Sequence, residues 1–295
     1  MDRLLIIGAG DVALRAMPWL RQHFRVFAVV RRPEAAAQWR SAGALPIMGD
    51  LDDAKTLHRL AGIADAVLHC APPPDSGRDD PRTRRLLAAL ARAGRAPRRF
   101  VYVSTSGVYG DCAGAQVDET RPVSARTARA QRRVAAETRL RAFAIAQGCA
   151  LRILRAPGIY AASRLSLARL ERGDPVLNGD EDVFTNHIHA DDLAHAVCLA
   201  LFRGPRLRVF NVCDDSELAM GDYYDAMADV FGRSRPPRMS RAECAARLSP
   251  LTLSFMSESR RLENARIKRE LRWAPRFADV REGLRAACTE LQQGI

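Results

Sequence analysis

Six short apolar runs punctuate the first half of the chain: RLLIIG (3–8), RVFAVV (25–30), ALPIMG (44–49), DAVLHC (65–70), RFVYVS (99–104) and LRILRA (151–156). Each is nearly continuous in apolar character rather than alternating, as expected of strands buried on both faces. Between them lie segments with helical spacing, near 11–22, 33–42, 53–61, 81–94 and 124–147. Strand–helix repetition of this kind predicts a parallel sheet, and right-handed crossovers make it an α/β fold with a doubly wound sheet. After residue 156 the rhythm loosens, and Pro236-Pro237 marks a loop between two helical stretches. The pattern predicts a first domain over 1–155 and a smaller C-terminal lobe over 156–295, with segments that return to the core of the first.

At 295 residues the chain has ample material for such a core. A net charge of +12 points on its face to nucleic acid or an anionic surface. The source of the charge changes that picture. All but two of the 46 basic residues are arginine, the exceptions being Lys55 and Lys268, and they are scattered from Arg3 to Arg285. No compact basic run is interleaved with aromatics, so the expectation is a solvated arginine-rich surface with no specific nucleic-acid partner and only weak non-specific binding. The seven cysteines (70, 112, 149, 198, 213, 244, 288) contain no CxxC pair, and several sit in apolar runs, which reads as free thiols in a reducing compartment. MDRLLIIGAG enters directly on an apolar strand without the layout of a signal peptide, and no window reaches membrane-span length. The expectation is a cytoplasmic protein without a membrane partner.

The first apolar run leads straight into GAGDVALRA, with Gly8, Gly10 and Ala13 at GxGxxA spacing. Gly8 permits a tight turn, and Gly10 lets backbone approach a pyrophosphate seated on the N-terminus of the next helix, opened by Asp11 and Val12. A strand before and a helix after make this the dinucleotide-binding loop of a Rossmann sheet. At the end of the second strand, where an NAD site usually carries Asp or Glu for the ribose hydroxyls, stand Arg31 and Arg32. A guanidinium cannot accept a hydrogen bond but does grip a 2′-phosphate. The predicted cofactor is therefore NADP, with NAD the less favoured choice.

GAGDVA, GDLDD (49–53), VLHCAPPP (67–74), STSGVYG (104–110), RAPGIY (155–160), HIHADDLAHAV (187–197), VFNVCDD (209–215) and the tail NARIKRELRWAPRFADVREGL (264–284) fall in one order. In that order they resemble the extended short-chain dehydrogenases/reductases, the NAD(P)-dependent epimerase/dehydratase-like proteins. The resemblance implies that Asp50 and Leu51 flank the adenine, and that Ala71, Pro72 and Pro73 form a rigid wall near the ribose. It further implies that Pro157 and Ile159 meet the nicotinamide, and that Thr105, preceded by Ser104, hydrogen-bonds the substrate oxygen. For His187, His189, Asp191 and Asp192 it implies a structural role, and no metal is expected.

Full-site members of the family open the helix at 124–147 with Tyr-x-x-x-Lys. Counting back from Glu137 puts Arg133 in the lysine place and Arg129 in the tyrosine place, and no tyrosine lies between 110 and 159. Arginine stays charged and has no proton to exchange at neutral pH. Arg133 can bond the nicotinamide ribose, and Arg129 can polarise a carbonyl or hold an anionic group. Tyr109, Tyr160 and Thr105 acting through a water are the candidates for a replacement acid, and none stands out. The remaining arginines of the run, Arg126 and Arg132, fit a solvated helix face equally well.

Two functions follow. One is an atypical NADP-dependent oxidoreductase acting on an unidentified small molecule, with Thr105, Ser104, Arg129 and Tyr109 as catalytic candidates. The other is a non-catalytic NADPH-binding sensor or regulatory protein. The resemblance allows a homodimer through the helices near 82–94 and 125–147, against which the arginines of the second would repel.

Overall fold

The computed structural model describes residues 1–92 and 94–293. Residue 93, at the end of the helical segment predicted to 94, and residues 294–295 of the predicted second lobe lie outside the described residues. The six predicted apolar runs form β1 (Asp2–Ile7), β2 (Phe24–Val30), β3 (Leu45–Met48), β4 (Ala66–His69), β5 (Arg99–Thr105) and β6 (Ala150–Ala156). A seventh strand, β7 (Leu207–Asn211), comes from the second half of the chain. All pair in parallel, in the order β3-β2-β1-β4-β5-β6-β7. The order reverses direction at β1, so a crevice opens beyond the carboxyl ends of β1 and β4.

The inner strands are buried on both faces, as their apolar character requires: Leu4, Leu5, Ile6 and Ile7 of β1 are fully buried, whereas Leu45 and Met48 of the edge strand β3 are exposed. One face packs against α1 (Asp11–His23), α2 (Pro33–Ser41) and, from the second half, α5 (Ala190–Ala200). The other carries α3 (Pro81–Ala91) and α4 (Ala128–Gln147). The segment predicted as helical at 53–61 is a 3-10 helix, Ala54–Leu60, begun by an Asp53 side chain that accepts from the Lys55 amide. The helix predicted from 124 starts later, because the Thr127 side chain accepts from the Ala130 amide and caps it at Ala128.

Beyond Ala156 the chain builds short strand pairs and two longer helices, α6 (Met220–Val230) and α7 (Val280–Gln292), around Tyr160, Tyr223, Met227, Val280 and Leu284. Asp192, in the first turn of α5, accepts from the backbone amides of Arg276 and Phe277, while its carbonyl accepts from the Trp273 indole. That clasp ties the tail to the Rossmann face. The buried Asp214 accepts from the Ser216 amide through one oxygen, and its other oxygen has no partner among the described residues.

Burial raises the Asp214 pKa from 3.8 to about 8. A carboxyl that is more easily protonated when folded stabilises the fold at low pH and loses that contribution as pH rises through the folded value. Stability of the native protein should therefore fall between about pH 4 and pH 8, and Asp214→Asn should flatten the profile. Denaturant titrations at several pH values measure this, and superimposable profiles for the two proteins would count against it.

Candidate functional site

The carboxyl edge of the sheet carries two adjoining cavities of about 300 and 320 Å³, which share Gly8, Gly10, Cys70 and Pro72. Gly8 sits at φ +86°, where a Cβ would stand 2.2 Å from the Ala71 backbone nitrogen. No other residue fits there, and β1 and the end of β4 touch through it. Around Gly10 the space is open: a Cβ would meet nothing within 4 Å. Gly10 also begins α1 without any side-chain cap, so the first amides of the helix remain available to an anion. Asp11 does not take that place, because its carboxylate turns to Arg15 (2.8 Å) and Arg164 (3.5 Å). A tight glycine turn, an open approach and uncapped amides fit a pyrophosphate.

The first cavity lies on the β2 side and is lined by Arg31, Arg32, Asp50, Leu51, Ala71 and Pro72 together with Arg82. Arg31 and Arg32 are exposed and, among the described residues, make no ion pair. Asp50 is the one carboxylate lining this cavity among the described residues. Its Oδ1 accepts from the Asp52 amide, which leaves Oδ2 for an exocyclic amine. Pro73 was expected beside Pro72 in the wall, but it is buried and does not line the cavity. Its carbonyl and that of Pro72 both accept from Arg82 Nη1 at 3.2 Å. Arg82 also forks onto Asp52 and holds that carboxyl below its ordinary range.

The second cavity is lined by Asp11, Val12, Ser104, Thr105, Arg133, Pro157, Ile159 and Arg164. Thr105 Oγ1 accepts from the Gly107 amide at 3.2 Å, so its proton is free to be donated. Arg133 donates through one terminal nitrogen to the Tyr102 hydroxyl and the Val103 carbonyl, both at 3.0 Å. Its remaining donors keep positive charge at this end. The Ser104 hydroxyl is committed elsewhere. It donates at 2.7 Å to the buried Glu137, which also accepts two bonds from buried Arg155 and one from Arg141. These bonds and charges outweigh desolvation and keep the Glu137 carboxyl below its usual pKa.

Tyr109 and Arg129 do not reach either cavity. Tyr109 is buried, donates its hydroxyl at 2.8 Å to Asn211 Oδ1, and carries the Arg155 guanidinium over its ring. Burial pushes its pKa up to about 12, the wrong direction for proton exchange at neutral pH. Arg129 lies 4.1 Å above the Phe255 ring. Tyr160 is buried as well, with desolvation raising its pKa, and its hydroxyl lies where a Cβ on Gly283 of α7 would fall. The solvated-face reading holds for Arg126, which is exposed, but not for Arg132. Arg132 is 8% exposed and donates to the Gly77 carbonyl at 2.6 Å.

The histidine segment packs instead of gathering ligands. His187 stacks on Tyr223 at 3.9 Å, and His189 Nδ1 accepts from the Asp191 amide at the start of α5. Arg82, Arg164 and Cys70 also line the crevice and were not singled out in the sequence. Arg164 follows the strand at 158–160 in an unremarkable AASR stretch, and no local pattern marks it. Cys70 had one available signal, its place at the end of an apolar strand. Burial raises its thiol pKa to about 12, which keeps it in the thiol form at neutral pH.

A doubly wound parallel sheet with a glycine-lined crevice at its switch point defines the dinucleotide-binding α/β class. Residues 16–213 match the model of the NAD dependent epimerase/dehydratase family, and the chain belongs to that family. No curated protein sequence matches the chain. Among solved structures, a conserved protein of unknown function from Silicibacter pomeroyi is similar at 29% identity and TM-score 0.81, covering 98% of this chain and 99% of that one. UDP-glucose 4-epimerase from Thermotoga maritima, solved with UDP-glucose, is similar at 18% identity and TM-score 0.78, over 100% and 99% of the two chains. A dTDP-glucose 4,6-dehydratase from Streptomyces venezuelae, solved with NAD and TYD, is similar at 21% identity and TM-score 0.78, over 99% and 98%. No helix among the described residues is long and apolar enough to cross a membrane.

Proposed function

We propose that this protein is an NADP-dependent oxidoreductase acting on a small molecule that carries a carbonyl or alcohol. The observation that carries the cofactor choice is the β2 terminus, where two exposed guanidinium groups without ion-pair partners among the described residues stand in the crevice wall. A 2′-phosphate there gains charge-assisted bonds of roughly 1.5–3 kcal/mol each. When bound, the nicotinamide supplies or accepts hydride. At that end Thr105 donates a hydrogen bond to the substrate oxygen and orients it, while Arg133 provides positive charge beside the ribose. With no tyrosine lining the cavity, the missing acid costs a factor of ~10²–10⁴ in rate, which an activated substrate offsets. An epimerase or dehydratase reaction on a nucleotide sugar fits less well, because those reactions depend more heavily on the proton-handling tyrosine.

A second reading is favoured by one observation. Ser104 and Tyr109 spend their hydroxyls on Glu137 and Asn211, which leaves Thr105, among the described residues lining that cavity, as the one uncommitted hydroxyl at the reaction end. That arrangement suits an NADPH-binding sensor that performs no chemistry. One experiment decides. NADPH and NADH are titrated by calorimetry into the protein and into an Arg31→Ser/Arg32→Ser variant, and the NADPH complex is then offered a panel of carbonyl compounds. The expected result is tighter binding of NADPH than NADH, a loss of tenfold or more for NADPH alone in the variant, and turnover that Thr105→Ala abolishes. Equal affinity for the two nucleotides would overturn the cofactor choice. Binding without turnover across the panel selects the sensor.

A further inference from the structure

The pyrophosphate end of the crevice contains a charge arrangement that the GxGxxA loop does not require. Asp11, the first residue of α1, places a carboxylate beside the amides that would receive a dianion. Arg15 bonds Asp11 through Nε at 2.8 Å and Asp191 through a terminal nitrogen at 2.7 Å, so one cation serves two carboxylates. His189 Nδ1 stands 3.5 Å from Asp191, and burial lowers its pKa, so it adds little positive charge. Asp11, Asp191 and Arg15 together leave one negative charge at the mouth of a phosphate cradle. Arg164 is the group that cancels it. It comes from the other half of the chain, lines the same cavity as Gly8 and Gly10, and reaches Asp11 Oδ2 only loosely, at 3.5 Å. Its side chain is 38% exposed and makes no other ion pair among the described residues.

We propose that Arg164 is a pyrophosphate-binding residue, resting on Asp11 in the free protein and transferring its guanidinium to the cofactor phosphates when a dinucleotide enters. This rests on the dinucleotide reading of the crevice and adds to it a clamp supplied by the second half of the chain. A phosphate oxygen offers the fork of Arg164 a better partner than a carboxylate already bonded to Arg15. Arg15 keeps its bond to Asp11, and Arg164, lying between that carboxylate and the phosphates, goes on offsetting the net negative charge that Asp11, Asp191 and Arg15 leave. Because pyrophosphate is common to both nucleotides, Arg164 contributes to NADPH and NADH alike, in contrast to Arg31 and Arg32.

The test is calorimetric titration of NADPH and NADH into the unmodified protein, Arg164→Gln, and Arg164→Gln with Asp11→Asn, with thermal melts to show that each is folded. Arg164→Gln should weaken both nucleotides by a similar factor, about 10- to 100-fold. Its dependence on salt should become shallower, and the added Asp11→Asn should return part of the loss by removing the uncompensated carboxylate. Affinities within twofold of the unmodified protein would overturn the proposal, as would a loss confined to NADPH, which would put Arg164 on the 2′-phosphate. If the unmodified protein binds neither nucleotide, the dinucleotide reading fails and this inference with it. Binding by the unmodified protein with an unaffected Arg164→Gln removes the clamp alone.

Discussion

Gly8→Val should abolish detectable binding of pyridine nucleotides, and Gly10→Ala should weaken it while leaving the fold intact. The two glycines differ in what surrounds them. A side chain at position 8 would drive a Cβ to 2.2 Å from the Ala71 nitrogen and 2.5 Å from its Cα, both backbone atoms that cannot rotate away. It would also have to hold φ +86°, which costs a β-branched residue on the order of 1–3 kcal/mol. Relief requires β1 and the end of β4 to separate, and the crevice wall at Ala71 and Pro72 moves with them. Position 10 has no neighbour within 4 Å, so alanine fits the folded protein and fills only space the phosphates need. Calorimetric titration and thermal melting of both variants give the outcome. A Gly8→Val protein that binds NADPH within a few-fold of the unmodified chain would refute this account of the crevice.

The second large effect lies under the site. Glu137→Ala should destabilise the protein by about 3–5 kcal/mol, because it strands a buried guanidinium without its partner. Arg155 is 3% exposed and Glu137 1%, so the two bonds between them lie out of reach of bulk solvent. The carboxylate also receives Ser104, so it joins α4 to the ends of both β5 and β6, and those strand ends carry Thr105 and Pro157. Replacing both charges with apolar residues of similar volume, Glu137→Leu with Arg155→Met, should recover most of the loss. Urea unfolding of the single and double variants measures the coupling. Equal stability of the single variant and the parent would mean that the pair contributes nothing net.

The middle of the sheet was legible because strands such as β1 and β4 bury both faces and so are written in near-continuous apolar residues. The β1–α1 turn was legible for a related reason: only glycine satisfies its backbone, and the spacing follows from helix geometry. Side-chain destinations were not. STSGVYG brings Thr105 to the lining of the second cavity, yet the 3-10 turn at Ser106–Tyr109 carries the tyrosine inward onto Asn211, a residue about a hundred positions later. Arg132 has the periodicity of a solvated face, but the chain after β4 folds across it and offers the Gly77 carbonyl. Arg129 meets Phe255 from the far end of the sequence. In each case the deciding partner is remote, and no local pattern encodes it. Arg164 escaped notice in the same way.

The stretch from Pro72 to Asp80 is fastened from outside. Arg82 holds the Pro72 and Pro73 carbonyls, Arg132 holds Gly77, and Arg139 pairs with Asp79. A forked cation can brace an irregular loop that its own amides leave unsupported, and an ammonium on a flexible stem is a poorer substitute. In a chain with 46 basic residues, what reads as a solvated arginine-rich surface therefore also works as scaffolding for the rim of the cleft, and basicity and architecture cannot be altered independently there.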